Sequence, residues 1–110
     1  MIIREMDKIK ANIRQDGVAM TDFFGAAVKA GEKVSMGHAV FPPGTVVPPA
    51  AHSGDEYSYI LSGKIKSIIH GKTIELHGGT AGFIPAGEVH SSVNDSAEDA
   101  EVIWMLVEKD

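Results

Sequence analysis

Residues 44–63, GTVVPPAAHSGDEYSYILSG, hold one histidine and one glutamate four positions apart in an apolar, glycine-containing stretch. Side chains alternate between the two faces of a β-strand, so a strand that starts near Glu56 would place Glu56, Ser58 and Ile60 on one face. His52 precedes a Ser-Gly-Asp turn, and a hairpin there would bring its imidazole beside the Glu56 carboxylate. The geometry of this stretch therefore allows a shared His–Glu site at the start of a strand.

Turn signals surround this stretch and recur every eight to ten residues along the rest of the chain. Many short strands at even spacing are typical of an antiparallel sandwich or barrel. The expected strands are VAMTDFF (18–24), KVSMGHAVF (33–41), YSYIL (57–61), KIKSII (64–69), TIEL (73–76), AGFI (81–84), EVHSSV (88–93) and AEVIWMLVE (100–108). The predicted class is all-β, with a glycine-containing connection, GAAVKAGE, between the first two strands.

The length of 110 residues and a hydrophobic fraction of 44% predict one domain over residues 1–110. Residues 1–16 are expected to form an N-terminal arm or short helix, because Met6, Ile9 and Ile13 recur at helical spacing. Residues 17–110 are expected to form the barrel.

Charge and composition exclude several kinds of partner. A net charge of -5 with no long basic run argues against nucleic acid and against anionic membranes. The longest apolar run, Val102 to Val107, is far shorter than the roughly 20 residues that span a bilayer. The chain has no cysteine, and its first residues carry charges where a signal peptide needs an apolar core, so the sequence predicts a cytoplasmic protein.

A second stretch, GTAGFIPAGEVHSSVN at residues 79–94, completes a pattern begun by residues 44–63. Together they resemble the two motifs of the cupin superfamily, G-x5-H-x-H-x3-E-x6-G and G-x5-P-x-G-x2-H-x3-N. The matching positions, all at the family spacing, are Gly44, His52, Glu56, Gly63, Gly79, Pro85, Gly87, His90 and Asn94. One motif position differs, because Ala50 stands where the family has its first histidine.

The resemblance implies a small RmlC-like antiparallel jelly-roll barrel with a metal site at its mouth. His52, Glu56 and His90 correspond to three of the four usual protein ligands, and Ala50 removes the fourth. Two imidazoles and one carboxylate suit Fe(II) with open coordination positions, and a three-ligand set also occurs around catalytic zinc. The expected cofactor is therefore one divalent transition metal, namely Fe, Zn, Mn or Ni.

Other polar side chains are candidates for the same site. His38, in VSMGHAVF, is a candidate general base and a possible substitute for the missing ligand, although both faces of its strand are apolar and alternation does not fix its direction. Ser58, Ser92 and Asn94 are the remaining polar groups expected near the metal. They favour a small and modestly polar substrate.

Three functions follow from these residues. The first is a metal-dependent oxygenase, isomerase or lyase acting on a small molecule, a range that the cupin resemblance implies without selecting a reaction. The second is a non-catalytic barrel that binds or senses a small ligand, favoured by Ala50. The third is a structural domain without metal, which would leave Glu56 uncompensated in an apolar barrel.

The strand that contains Trp104 is apolar at almost every position and therefore needs cover on both faces. Tyr57 and Tyr59 would lie on the face opposite Glu56, where packing or a subunit contact is the ordinary role of aromatic side chains. Because exposed apolar patches usually mark interfaces, the sequence predicts a homodimer.

Overall fold

A computed structural model describes residues 1–25 and 33–108, which form ten strands and one short 3-10 helix. The helix spans Met6–Lys8, and the strands are β1 (Asn12–Ile13), β2 (Ala19–Asp22), β3 (Val34–Phe41), β4 (Val46–Ala50), β5 (Gly54–Ser62), β6 (Lys64–Ile69), β7 (Lys72–His77), β8 (Ala81–Ile84), β9 (His90–Val93) and β10 (Ala100–Glu108). Most of the predicted GAAVKAGE connection, from residue 26 to residue 32, lies outside the described residues.

The strands form two antiparallel sheets, which confirms the predicted all-β jelly-roll class. The six-stranded sheet has the order β1-β2-β3-β10-β5-β8, and the four-stranded sheet has the order β4-β9-β6-β7. The described strands remain two separate sheets, so the molecule is not a fully closed barrel. No helix in the described ranges is long and apolar enough to cross a membrane.

The N-terminal arm is part of the six-stranded sheet. Its helical portion is limited to one 3-10 turn, and Asn12 and Ile13 then pair with Met20 and Ala19 of β2. A tight turn follows, in which the Arg14 amide donates to the Val18 carbonyl over 2.9 Å. Arg14, Gln15 and Asp16 at the end of the arm line an opening that His52 and His90 also line.

Strand β4, with the sequence VVPPA, had not been expected from the sequence. Proline lacks an amide donor, so two adjacent prolines argue against a central strand. β4 avoids this cost because, among the described strands, it is the edge strand of the four-stranded sheet and pairs with β9 alone. Its irregular register between Val47 and Ala50 coincides with the two prolines.

The core lies between the sheets and contains Ile60, Ile65, Ala100 and Val102, all at most 6% exposed. β10 is central in the six-stranded sheet, where Val102 pairs with Ile60 and Ala39. Residues opposite one another in antiparallel strands share a face, so the alternate residues of β10 point toward the core.

Two glycines are required by close approach of the backbone. Gly63 has a φ of 79°, and a Cβ there would lie 2.3 Å from the Asp99 carbonyl oxygen. Gly37 lies under the indole of Trp104, where a Cβ would be 2.4 Å from Cζ2. Any side chain at either position would displace a neighbouring strand or loop.

Candidate metal centre

Glu56 points into the molecule because of its register on β5. It pairs with Leu106 of β10 and with Ile84 of β8. Ser58 and Ile60 follow on the same face, and Ile60 belongs to the buried core. The alternation predicted from the sequence therefore agrees with the direction of this carboxylate, which is half-buried.

His90 begins β9 and pairs with Ala50 on one side and Ile69 on the other. The turn before it is connected directly to the loop that carries His52, because the Gly87 amide donates to the His52 carbonyl over 2.9 Å. Gly87 has a φ of 82°, which favours glycine at this position. This hydrogen bond joins two segments that lie far apart in the sequence.

Asp55 provides a second connection between the same segments. Its side chain is 7% exposed, and its Oδ1 accepts a hydrogen bond from the Ala86 amide over 2.9 Å. The sequence indicated only a turn residue at this position. A buried aspartate that accepts from a distant amide gives no periodic signal, so this positioning role could not be predicted.

The three expected ligands meet at one point. The His52 Nε2 atom lies 3.2 Å from Glu56 Oε1, and the rings of His52 and His90 have centroids 5.3 Å apart. One ligand atom from each residue lies within 4.8 Å of the other two. His52 is exposed, whereas Glu56 and His90 are half-buried, so the cluster opens toward solvent on the His52 side.

The hydrogen bond of His90 determines which ring nitrogen is free. Its Nδ1 lies 3.0 Å from the Glu88 carbonyl oxygen. A carbonyl only accepts, so Nδ1 carries the hydrogen and Nε2 keeps its lone pair. This outer contact is the usual way in which proteins orient a metal-binding histidine.

This donor set fits a divalent transition metal. Bonds of about 2.0–2.2 Å hold adjacent ligand atoms roughly 3.0–3.5 Å apart, and the His52–Glu56 pair has that spacing already. Side-chain rotation would bring the wider pairs to the same range. His52, Glu56 and His90 are therefore the residues that would hold the ion.

Residue 50 faces the same space. Ala50 is directly opposite His90 in the β4–β9 pairing, and directly opposed residues point to the same face. Ala50 also lines the opening together with His52, Glu56 and His90. Its methyl group leaves the fourth position of the predicted motif without a donor.

The structure does not bring His38 to this cluster. His38 pairs with Ile103 of β10, on the face of the sheet opposite Trp104 and Glu56. Its side chain is buried, and its Nε2 lies 3.0 Å from Glu101 Oε1. This position on the opposite face argues against His38 as a general base at the cluster.

Of the other polar candidates, Ser58 and Ser92 line the space beside Glu56, whereas Asn94 has a different position. Asn94 is fully buried and donates to the carbonyls of Phe41 and Glu98 at 2.7 and 2.8 Å. It holds the loop before β10 in place. The asparagine of the second motif is thus a structural residue in this chain.

Two connected spaces adjoin the cluster. The inner cavity, of about 260 Å³, lies between the sheets and has mostly apolar walls, including Ile65, Leu76 and Trp104. The outer mouth, of about 570 Å³, is lined by the cluster and by the turn at residues 14–16. Five residues line both spaces, and two of them are expected ligands: Arg14, Phe41, His52, Glu56 and Ser92.

Arg14 and Asp16 were not identified as site residues from the sequence. The Arg14 Nε donates to Asp16 Oδ1 over 3.1 Å, and its Nη2 donates to Asp16 Oδ2. These hydrogen bonds from Arg14, opposed by partial burial, hold the pKa of the Asp16 carboxyl below its ordinary value of 3.8. Only the pairing of the arm with β2 brings this turn to the mouth, and local sequence gives no signal for it.

The fold and the cluster together define a jelly-roll protein with a possible two-histidine, one-glutamate metal site. The family model described as a cupin domain matches residues 37–106. The chain belongs to the cupin family.

Solved structures support the same fold. A protein described as a predicted oxalate decarboxylase from Thermotoga maritima superposes with a TM-score of 0.86 at 22% identity, covering 98% of this chain and 100% of that one. The polyketide cyclase RemF from Streptomyces resistomycificus has a TM-score of 0.86 at 20% identity, covering 99% and 80%. An RmlC-like cupin from Shewanella frigidimarina has a TM-score of 0.82 at 15% identity, covering 99% and 92%. At these identities the similarity establishes the fold.

One curated relative also matches. The endoribonuclease YbeY of Myxococcus xanthus is 28% identical over 75 residues, which cover 68% of this chain. The matched part is 26% of that protein, so the chain corresponds to about a quarter of its length.

Proposed function

We propose that this cupin is a mononuclear metal-dependent enzyme that acts on a small molecule bound between its two sheets. The observation that supports this function most strongly is the convergence of His52, Glu56 and His90, with one ligand atom from each within 4.8 Å of the other two. A bound divalent ion would supply Lewis-acid catalysis there. The three-residue set leaves coordination positions open on the side of the mouth.

The protein's own residues would orient the metal ligands and bind the substrate. The Glu88 carbonyl keeps the His90 hydrogen on Nδ1, and the Gly87–His52 hydrogen bond fixes the distance between the two loops. The apolar walls of the inner cavity exclude water from the substrate body, while Ser58 and Ser92 offer hydroxyl groups to it. The reaction class is an oxygenation, an isomerisation or a lyase reaction. The similar folds of a predicted oxalate decarboxylase and a polyketide cyclase are compatible with this range.

Metal analysis tests the proposal. Protein purified without chelator, then dialysed, should hold close to one equivalent of Fe, Zn, Mn or Ni, and Glu56→Ala and His90→Ala should lose it. Glu75→Ala and His77→Ala remove the same residue types at exposed positions on β7 and serve as matched controls. Wild-type protein that stays empty after loading with each metal would refute the metal-dependent enzyme.

Ala50→His sharpens the same test. Because residue 50 is opposite His90 and lines the mouth, a histidine there should act as a fourth ligand. We expect metal affinity to rise by at least about tenfold. Changes to residues that contact only the ligands already alter affinity by about tenfold or more, and a direct ligand should have no smaller effect. Competition with a chromogenic chelator measures the affinity, and an unchanged value would mean that residue 50 does not reach the ion.

A second candidate is a non-catalytic cupin that binds or senses a small ligand. Ala50 favours it, because the site offers one ligand fewer than the family motif. A small molecule that copurifies with the protein and remains chemically unaltered after incubation with metal-loaded protein in air would support this candidate.

A homodimer would use the outer face of the six-stranded sheet. Tyr57 and Phe83 are 42% and 54% exposed there, and their rings contact each other with centroids 5.0 Å apart. Tyr59 and Leu61 continue β5 beside them and are each 47% exposed. Exposed apolar surface of this kind supports a contact between two copies. The cytoplasmic location stays a prediction of the sequence.

A further inference from the structure

Arg14 differs in charge from the other residues that surround the candidate metal centre. Within the described residues, it is the one cationic side chain that lines either the inner cavity or the outer mouth. It lines both, as do His52 and Glu56. Arg14 therefore shares both spaces with two of the expected metal ligands.

Hydrogen bonds within the turn hold the Arg14 side chain in position and leave some of its N–H donors for a ligand. Asp16 accepts hydrogen bonds from Nε and Nη2, and the Val18 amide donates to the same Asp16 carboxylate over 3.1 Å. A guanidinium has five N–H donors, so three remain for another acceptor. Anchored in this way, Arg14 loses little further side-chain freedom when it binds a ligand.

The charges of the mouth favour an anion once the metal site is filled. Two positive charges from a divalent ion and one from Arg14 outweigh the carboxylates of Glu56 and Asp16 by one positive charge. The histidines are neutral as ligands. A carboxylate is the small organic anion that matches a guanidinium fork in shape.

The inner cavity indicates the chemistry of the part of the ligand that lies away from Arg14. Its wall is built from aliphatic and aromatic side chains such as Ile74, Leu76, Val102 and Leu106. Such a wall binds an apolar body, and the benefit grows with each buried methylene group. Arg14, His52 and Glu56 line both spaces, so a ligand with its head at Arg14 and its body in the inner cavity would pass beside the candidate metal centre.

We propose that the ligand is a small organic carboxylate, whose charged head is bound by Arg14 and whose apolar body enters the inner cavity. The inference rests on the proposed function for the metal, but the role of Arg14 can be tested separately. Arg14 is then a residue that determines substrate specificity.

The experiment compares hexanoate with hexanamide, two probes of nearly equal size that differ in charge. Metal-free and zinc-loaded protein, each of measured metal content, is titrated with each probe. The changes in the amide ¹H–¹⁵N chemical shifts give the dissociation constant of the probe. The variants are Arg14→Gln, Arg14→Lys and, as a matched control, Lys72→Gln, which removes one positive charge on exposed β7. Butyrate, two methylene groups shorter, tests the apolar body.

In zinc-loaded wild type we expect hexanoate to bind at least tenfold more tightly than hexanamide, and about tenfold more tightly than butyrate. Arg14→Gln should lose tenfold or more in hexanoate affinity with no change in hexanamide affinity or zinc content, the size expected for charged hydrogen bonds. Arg14→Lys should recover part of the loss, and Lys72→Gln should behave as wild type.

Several results would overturn the inference. A hexanoate-to-hexanamide ratio that is the same in Arg14→Gln and wild type, at equal metal content, removes Arg14 from ligand recognition. Equal losses for both probes together with a lower melting temperature would assign Arg14 a purely structural role. Absence of hexanoate binding in both metal states would reject the carboxylate. A chain that takes up none of Fe, Zn, Mn and Ni refutes the metal site. A chain that takes up one of the other three metals instead of zinc is titrated in that form, where the probe ratio decides the role of Arg14.

Discussion

The two faces of the six-stranded sheet differ in chemistry although the same strands build both. On β5, Glu56 and Ser58 face the cavity, whereas Tyr57 and Tyr59 face outward. The difference arises from the two-residue alternation of a strand. A register slip of one residue would move the aromatic rings into the site and Glu56 to the surface. The candidate metal centre and the proposed dimer contact therefore depend on the same register.

The largest expected effect is on the inner face, where packing determines stability. Ile60 is 2% exposed in the core cluster, and Ile60→Ala should lower the free energy of unfolding by about 2–5 kcal/mol. Leu61→Ala, the next residue on the outward face and 47% exposed, should cost about 0.5 kcal/mol or less at a protein concentration low enough for the proposed dimer to be dissociated. Urea unfolding at one fixed protein concentration measures both, and equal losses would contradict the assignment of faces.

The next largest effect is expected on the outer face, where a substitution should weaken the proposed dimer and leave the candidate metal centre unchanged. Tyr57→Asp places a charge beside Phe83 in the proposed contact and should raise the dimer dissociation constant at least about tenfold, because aromatic anchors dominate interfaces. Light scattering after size exclusion measures the mass. Val46→Asp, at a 61% exposed position in the other sheet, is the control. A wild-type chain that is monomeric at high concentration would disprove the dimer.

The smallest effect concerns the turn at the mouth. Arg14 lowers the pKa of Asp16 below 3.8, so this pair stabilises the fold above that value. The contribution is lost as the pH falls below 3.8 through the lower folded pKa, where Asp16 takes up a proton. The difference in unfolding free energy between wild type and Asp16→Asn should therefore shrink between about pH 5 and pH 2. A difference independent of pH would mean that the ion pair does not stabilise the turn.

The sequence predicted those features that repeat or that match a motif. Period-two patterns gave the direction of Glu56, Tyr57 and Tyr59, and the two motifs led to the cluster of His52, Glu56 and His90. Features that depend on pairing between distant strands give no local signal in the sequence.

Three such features illustrate what could not be predicted from the sequence. The prolines of β4 obscured a strand that is possible only at a sheet edge. His38 lies in a strand with apolar residues on both faces, so its direction followed only from its pairing with Ile103. Arg14 reaches the mouth only because β1 pairs with β2. In each case the decisive contact joins residues that are distant in the chain or depends on the sheet position.

The most direct test of the candidate metal centre is an anomalous diffraction map from crystals of the metal-loaded protein, recorded at the absorption edge of the bound ion. The account predicts one strong peak bonded to Nε2 of His52, Nε2 of His90 and the Glu56 carboxylate, with Ala50 facing an open coordination position. A peak elsewhere, a bond through Nδ1 of His90, or no peak at this cluster would contradict it.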